Sequence, residues 1–155
     1  MELLTNKTAI GSSLASDGAT VFRVWAPAAR TVMVHLIDND RPAVAMDPEP
    51  FGYHSACVPS VMHGTRYQYI LDGKKERPDP ASHFQPEGVH GPSAVIDHRS
   101  FQWTDAGWQG VSLDHLILYE LHVGTFSEEG TFDGIIPYLS SLKHSLGITA
   151  IEIMP

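Results

Sequence analysis

The hydrophobic pattern of this chain changes its period near residue 114, and this change limits the possible folds more than any other feature. Before it, apolar side chains alternate with polar ones in short runs, as in strands that bury one face. After it, residues 115–123 and 148–154 are almost continuously apolar, and between them apolar residues recur every three or four positions. The first pattern predicts antiparallel β-structure, and the second predicts a strand, a helix and a parallel strand.

The first part of the chain predicts a β-sandwich that occupies residues 1–98. Turn signals such as Asp72-Gly73 separate its alternating runs, and the proline-rich segment 77–92 is expected to lie extended along it because proline cannot serve in a central strand. Short alternating strands at this spacing are typical of an antiparallel sandwich. The clearest runs are residues 20–26, 31–37 and 66–71, and weaker ones are residues 43–46, 53–58 and 93–97.

Residues 115–155 predict a βαβ unit. Pro137 suits the first turn of its helix and Gly147 suits the C-cap. A two-stranded sheet with one helix cannot cover both of its faces, so we predict that this segment opens a larger α/β domain. Residues 99–114 are the predicted connector, pinned by its aromatic side chains. The expected helix face is Ile136, Leu139, Leu142 and Leu146, and the connector aromatics are Phe101, Trp103 and Trp108.

Composition and charge exclude several classes of partner. The 155 residues carry 10 Lys and Arg against 18 Asp and Glu, a net charge of −8, without a basic cluster that would bind nucleic acid or an anionic membrane. The single cysteine, Cys57, excludes a disulfide framework and a cysteine zinc site. No apolar stretch is long enough to span a membrane and the first residues lack a signal-peptide pattern, so we expect a cytoplasmic protein.

Few residues suggest catalysis. Glu120 and Glu152 each lie inside one of the two parallel strands, which would be neighbours, but catalytic groups of barrels lie at the carboxyl ends of strands. Glu128 and Glu129 lie in a loop at that end, where adjacent acids are usually just solvated. The nine histidines, including His83 and His90, form no metal-ligand pattern, and no cofactor motif is present. We therefore predict no catalytic residue, no metal site and no cofactor.

Two residues are weak candidates for substrate binding. Trp25 could stack on a sugar ring, and His122 lies near the functional end of the first parallel strand. For His122, a packing or orienting role is favoured over proton transfer. For Trp25 and every other aromatic candidate, packing in the core or between domains is favoured over ligand stacking. The other aromatic candidates are Tyr53, Tyr67, Tyr69, Trp103 and Trp108.

Several segments resemble glycogen- and starch-acting enzymes of the alpha-amylase superfamily. FRVWAPAARTVMVHL (residues 22–36) and YQYILDG (67–73) resemble the β-sandwich module that precedes the barrel in those enzymes. Three further segments narrow the resemblance to the malto-oligosyltrehalose trehalohydrolase family within the superfamily. They are RPDPASHFQPEGVHGPSAVID (77–97), YELHVGTFSEEGTF (119–132) and LGITAIEIMP (146–155).

This resemblance implies a mainly β fold, with an immunoglobulin-like (E-set) sandwich followed by the truncated first βαβ unit of a (β/α)8 barrel. It implies a parent hydrolase that cleaves the α-1,4 bond next to the trehalose end of maltooligosyl trehalose and releases trehalose. The implied partners are the protein's own barrel and an α-1,4-glucan or maltooligosyl trehalose substrate. In the family the nucleophilic Asp and the acid/base Glu follow the fourth and fifth barrel strands. No residue here corresponds to them, and this chain alone should be inactive.

Alternatives remain open at this point: a piece of a glycogen branching or debranching enzyme, a stand-alone α-glucan-binding module, and a domain that only stabilises its neighbour. Glycogen-binding sandwiches of this class present aromatic side chains at two places, which here read Asn39-Asp40 and Lys74-Lys75-Glu76. We therefore expect the sandwich mainly to dock and shape its barrel, with weak or no binding of free glycan.

Overall fold

The computed structural model describes residues 9–15, 18–38 and 41–154. The chain divides into two compact units, residues 1–102 and residues 103–155. The division lies inside the segment that the sequence predicts as a connector. No helix in the described ranges combines the length and the apolar character needed to cross a membrane.

The first unit consists of two antiparallel sheets that pack face to face. One sheet has the strand order β1 (Gly11–Leu14), β2 (Ala19–Trp25), β6 (Tyr53–Pro59) and β5 (Asp47–Glu49). The other has the order β4 (Val44–Ala45), β3 (Val32–Leu36), β7 (Arg66–Leu71) and β8 (Lys75–Arg77), and β9 (Ser93–Ala94) also pairs with β7. The predicted mainly β sandwich is confirmed.

The strands with clear alternation lie close to their predicted bounds, whereas three edge strands were not predicted. β1, β5 and β8 are three or four residues long, and β5 contains Pro48 between two acidic residues. Proline and acidic residues are rare in strands, so the local sequence does not indicate one. These segments are extended because each pairs with a strongly alternating neighbour, β2, β6 or β7.

Alternate residues of the central strands form the core between the two sheets. The ring of Phe22 lies edge-to-face on that of Tyr67, with 4.8 Å between centroids. Burial of one large apolar side chain stabilises a fold by about 1.5–3 kcal/mol. The core residues are Phe22, Val24, Val32, Val34, Leu36, Met46, Ala56, Val58, Val61, Tyr67, Tyr69 and Val95.

A buried carboxylate attaches the proline-rich segment to this core. Asp79 is 2% exposed, and its side chain accepts hydrogen bonds from the hydroxyls of Tyr67 (2.7 Å) and Tyr69 (3.1 Å) and from the backbone N–H of Ala81 (2.8 Å). The backbone N–H of Asp79 donates to Ser93 Oγ at 3.0 Å. Burial, together with the charge of Asp79, raises the pKa of both tyrosine hydroxyls, so they remain neutral donors.

The second unit contains the predicted βαβ order. β10 (Leu118–His122) and β11 (Ala150–Met154) pair in parallel, and α1 (Val123–Phe126) and α2 (Phe132–Leu146) lie between them in sequence. The ring of Phe126 contacts both Tyr119 of β10 and Tyr138 of α2, with centroids 6.2 and 5.3 Å apart. These ring contacts place the helix on the face of the sheet that carries Tyr119 and the buried Leu121.

The helix begins earlier than the sequence pattern predicts. Thr131 is its N-cap, and its hydroxyl accepts the backbone N–H of Gly134 at 3.2 Å. Pro137 therefore lies inside the helix and not in its first turn, which corrects the prediction. Proline has no N–H to donate to the carbonyl of Asp133 four residues earlier, so the helix continues through Pro137 with one hydrogen bond fewer.

The buried face of α2 also differs from the predicted one. Ile135 and Leu142 are buried, whereas Ile136 and Leu146 are exposed. The spacing of three and four residues was recognised correctly, but periodicity alone does not say which of two adjacent isoleucines meets the sheet. The predicted C-cap is confirmed, since Gly147 has a φ of 72° and its N–H donates to the carbonyls of Leu142 and Lys143.

The aromatic side chains of the connector are not buried. Phe101, Trp103 and Trp108 are 63–73% exposed. That these side chains hold the connector in place stays a prediction. Residues 101–112 form neither a strand nor a helix, and this segment has no regular face to turn its rings towards a core.

Candidate functional site

The two outer faces of the sandwich present different side chains. Among the described residues, only the outer face of the sheet β1-β2-β6-β5 carries aromatic rings, contributed by Trp25 and its register partner Tyr53. The outer face of the sheet that contains β3, β7 and β8 carries Met33, His35, Gln68, Ile70 and Glu76. The candidate site is therefore on the first sheet.

Trp25 is the last residue of β2, and its indole remains 56% exposed. Alternation along β2 turns Val24 into the core and Trp25 outwards. The indole Nε1–H donates to the carbonyl of Phe51 at 3.0 Å, which holds the ring in one orientation. Trp25 therefore lies outside the core of its unit and retains an open ring face, whereas its packing between domains stays a prediction.

The turn that accepts this hydrogen bond carries a second exposed ring. Phe51 is 91% exposed and has a φ of 64°, in the left-handed region that side-chain-bearing residues rarely adopt. Pro50 precedes it, and the carbonyl of the following Gly52 accepts the N–H of Ala26 at 2.9 Å. Sequence reasoning missed Phe51. The available signal was an aromatic residue between a proline and a glycine in one turn.

A charged pair lies beside these rings. Arg23 Nε donates to Glu49 Oε2 at 2.8 Å, and the guanidinium carbon lies 4.1 Å from the centroid of the Tyr53 ring. Tyr53 therefore contacts a cation on one face of its ring and does not present a fully open platform. We call Arg23, Trp25, Glu49, Phe51 and Tyr53 together the aromatic surface.

The two other tyrosine candidates do not contribute to a surface. Tyr67 and Tyr69 are fully buried, and their hydroxyls donate hydrogen bonds to the carboxylate of Asp79. For these two residues the predicted packing in the core is confirmed. Sequence reasoning missed Asp79. The signal for it was the pair of inward-facing tyrosines, since a buried phenol hydroxyl needs a hydrogen-bond partner.

The second unit brings its two strand glutamates together, as the sequence predicts. Glu120 and Glu152 are register partners on β10 and β11, and both are exposed on the sheet face opposite Tyr119 and Leu121. His122 lies on the same face at the carboxyl end of β10, where its Nδ1 is 3.2 Å from Thr125 Oγ1. This contact fits an orienting role.

The pairing of these two glutamates across neighbouring strands predicts a gain in stability when one charge is removed. Like charges directly opposite on neighbouring strands are destabilising. We expect Glu152→Gln to raise the resistance of β10 and β11 to hydrogen exchange, more at low salt than at high salt because salt screens exposed charges. The control is Glu128→Gln, which removes a charge from the exposed loop before α2. An equal effect of both substitutions would contradict the pairwise repulsion.

The remaining polar candidates do not form a site. Glu128 and Glu129 are exposed in the loop. His83 and His98 contact each other, with Nδ1 and Nε2 3.0 Å apart, whereas His90 is exposed elsewhere. In the described ranges, no three His, Cys, Asp or Glu side chains gather where they could hold a metal ion.

Glycogen-binding sandwiches of this class present aromatic rings at two positions, and only one of the two lies within the described residues of this chain. Asn39 and Asp40 lie outside the described residues. Lys74 is exposed in the β7–β8 turn, and Lys75 and Glu76 are exposed in β8; the two lysines line an open cleft of about 600 Å³. The turn is closed by Asp72, whose carboxylate accepts the N–H groups of Arg30 and Thr31, and these bonds lower its pKa.

Comparison with known proteins identifies the class of the sandwich. Residues 9–85 match the family model of carbohydrate-binding module 48, the isoamylase N-terminal domain. The first unit thus contains a module of this family, and the predicted immunoglobulin-like fold class is confirmed. A crystal structure of a putative alpha amylase from Salmonella typhimurium matches 95% of the chain, with a TM-score of 0.87 and 36% identity, and the chain covers 24% of that protein.

The chain as a whole is malto-oligosyltrehalose trehalohydrolase-like, which confirms the resemblance seen in the sequence. It is 47% identical over 94% of its length to the malto-oligosyltrehalose trehalohydrolase of Saccharolobus solfataricus. It is 41% identical over 96% of its length to the enzyme of that name from Deinococcus radiodurans. The chain spans about a quarter of the length of these relatives, 25% and 24% respectively.

Proposed function

We propose that this chain is the N-terminal part of a cytoplasmic glycoside hydrolase that acts in trehalose biosynthesis. The enzyme would cleave the α-1,4 bond next to the trehalose end of maltooligosyl trehalose and release trehalose. The single observation that carries this proposal is the 47% identity over 94% of the chain to a relative named for this activity.

The two units have different roles in this proposal. The sandwich is a non-catalytic module that contacts the α-glucan part of the substrate, which its match to a carbohydrate-binding family supports. The βαβ unit is the first part of the catalytic barrel. This assignment is supported by α2, which lies on one face of the β10–β11 pair, while Glu120, His122 and Glu152 are exposed on the other face, as expected for residues that line a barrel interior.

The test compares the full-length protein with this chain alone on maltotriosyl trehalose. We expect the full-length protein to produce trehalose and maltotriose in equal amounts, and this chain alone to produce neither. The alternatives are tested on the same preparation, with amylose for branching activity and pullulan for debranching activity. Activity on amylose or pullulan without trehalose release would overturn the proposed reaction. Hydrolysis by this chain alone would show that the absence of catalytic residues was wrongly inferred.

A further inference from the structure

We propose that the aromatic surface is a contact site for an α-1,4-glucan chain, with Trp25 and Phe51 stacking on glucose rings and the pair of Arg23 and Glu49 hydrogen-bonding to their hydroxyls. The inference rests on the proposed function, which supplies the ligand class, and adds the location of the site. The site is on the sheet opposite to the β7–β8 hairpin, which is one of the two places where glycogen-binding sandwiches of this class present aromatic side chains.

The indole of Trp25 is preorganised for stacking in the absence of a ligand. Its only polar atom, Nε1, donates to the carbonyl of Phe51, so the surface that remains exposed is the apolar ring. The same bond fixes the ring orientation, which reduces the side-chain entropy that would be lost on binding. Aromatic faces pack well on the apolar faces of pyranose rings.

Phe51 is held outwards at a conformational cost. A left-handed backbone is unfavourable for a residue with a side chain, and Phe51 adopts it although 91% of the residue is exposed. The ring therefore does not stabilise the fold by burial. Strained residues that the surrounding structure maintains are concentrated at binding and functional sites, which favours a ligand-contacting role for this ring.

The charged groups beside the rings favour a sugar over an apolar protein surface. The Arg23–Glu49 pair presents hydrogen-bond donors and acceptors at the margin of the rings, and its side chains are 15% and 29% exposed. A few fixed polar groups among aromatic side chains are the arrangement that orients a small ligand. The centres of protein–protein interfaces, in contrast, are depleted of charged residues.

The opposite sheet offers no competing platform among the described residues. Its outer face includes Met33, Ile70 and several polar side chains, and Lys74 lies in its hairpin turn. The polar side chains are those of His35, Arg66, Gln68 and Glu76. Of the two outer sheet faces, the aromatic surface is therefore the one on which a glucan can stack against tryptophan, phenylalanine or tyrosine rings. The sequence-based expectation of weak or no binding rested on the residues at two other places in the chain and did not consider Phe51.

The experiment titrates this chain, and separately the full-length protein, with maltoheptaose by NMR and calorimetry. We expect the Phe51→Ala and Trp25→Ala variants to bind at least fivefold more weakly than the unsubstituted chain. Phe51→Ala is the cleaner variant because its ring is almost fully exposed, and thermal unfolding checks that the fold is retained. The matched control, Trp108→Ala, removes an exposed tryptophan from the connector and should leave the affinity unchanged.

The outcomes separate this inference from the function on which it rests. Unchanged affinity of both variants, in a protein that binds maltoheptaose, would overturn the site but leave the glucan-binding role intact. Weakened binding in Trp108→Ala and not in Phe51→Ala would also overturn the site. No binding by either unsubstituted protein would overturn both the glucan-binding role and the site, whereas trehalose release by the full-length enzyme would be unaffected by that result.

Discussion

Replacing Asp79 with alanine is expected to lower the free energy of unfolding of the sandwich by about 3–5 kcal/mol. The substitution removes three accepted hydrogen bonds and leaves the hydroxyls of Tyr67 and Tyr69 and the N–H of Ala81 without this acceptor. A buried donor without a partner costs about 1–3 kcal/mol. Urea unfolding of the chain, followed by circular dichroism, measures the loss.

Two further variants test whether the cause is the hydrogen-bond network. Asp79→Asn keeps the size of the side chain and one carbonyl acceptor, so its loss should be smaller than that of Asp79→Ala. Asp47→Ala removes an exposed carboxylate from the edge strand β5 and should change stability by no more than about 0.5 kcal/mol. A loss in Asp79→Ala no greater than that in Asp47→Ala would contradict the proposed role of the buried carboxylate.

Replacing Gly52 with alanine is expected to destabilise the sandwich by about 2–5 kcal/mol, from a backbone cost and a steric clash together. Gly52 has a φ of 82°, and a Cβ atom added there would lie 2.6 Å from Cβ and 2.7 Å from Cα of Pro27. Pro27 is rigid, so the turn itself must move. Displacement of the turn should also break the hydrogen bond from Trp25 to Phe51, which a change in tryptophan fluorescence would report.

Gly73→Ala is the matched control for this substitution. Gly73 also has a positive φ, 64°, but a Cβ atom added there would meet nothing within 4 Å. Its expected loss is therefore only the conformational cost of about 1–2 kcal/mol. The difference between the two variants measures the clash, and equal losses would show that the contact with Pro27 contributes nothing.

Much of the architecture could be predicted from local pattern, and the exceptions have physical causes. β7 was predicted to the residue because its inward and outward side chains alternate clearly. β5 was missed because pairing to β6, and not its own composition, makes it extended. Helix α2 was given the wrong start because Pro137 was assigned to its first turn and the N-cap at Thr131 was not recognised.

The candidate site was only partly predictable. Trp25 was recognised as a candidate, and its position on the outer face follows from alternation along β2. Phe51 was not recognised, because whether an aromatic residue in a turn faces solvent beside other rings depends on where the fold places that turn. Its position depends on the hydrogen bond between the Phe51 carbonyl and Trp25, which lie far apart in sequence.

The amino-acid order alone determined the two-part organisation, the inward faces of the central strands and the family resemblance, because side-chain period and short motifs are local properties. Only the tertiary structure decided that Asp79 is buried under two tyrosines, that Ile135 and not Ile136 meets the sheet, and that Trp25 and Phe51 form one surface. Each of these depends on contacts between segments that are distant along the chain or on the rotation of an element against its neighbour, and neither is encoded in a local pattern.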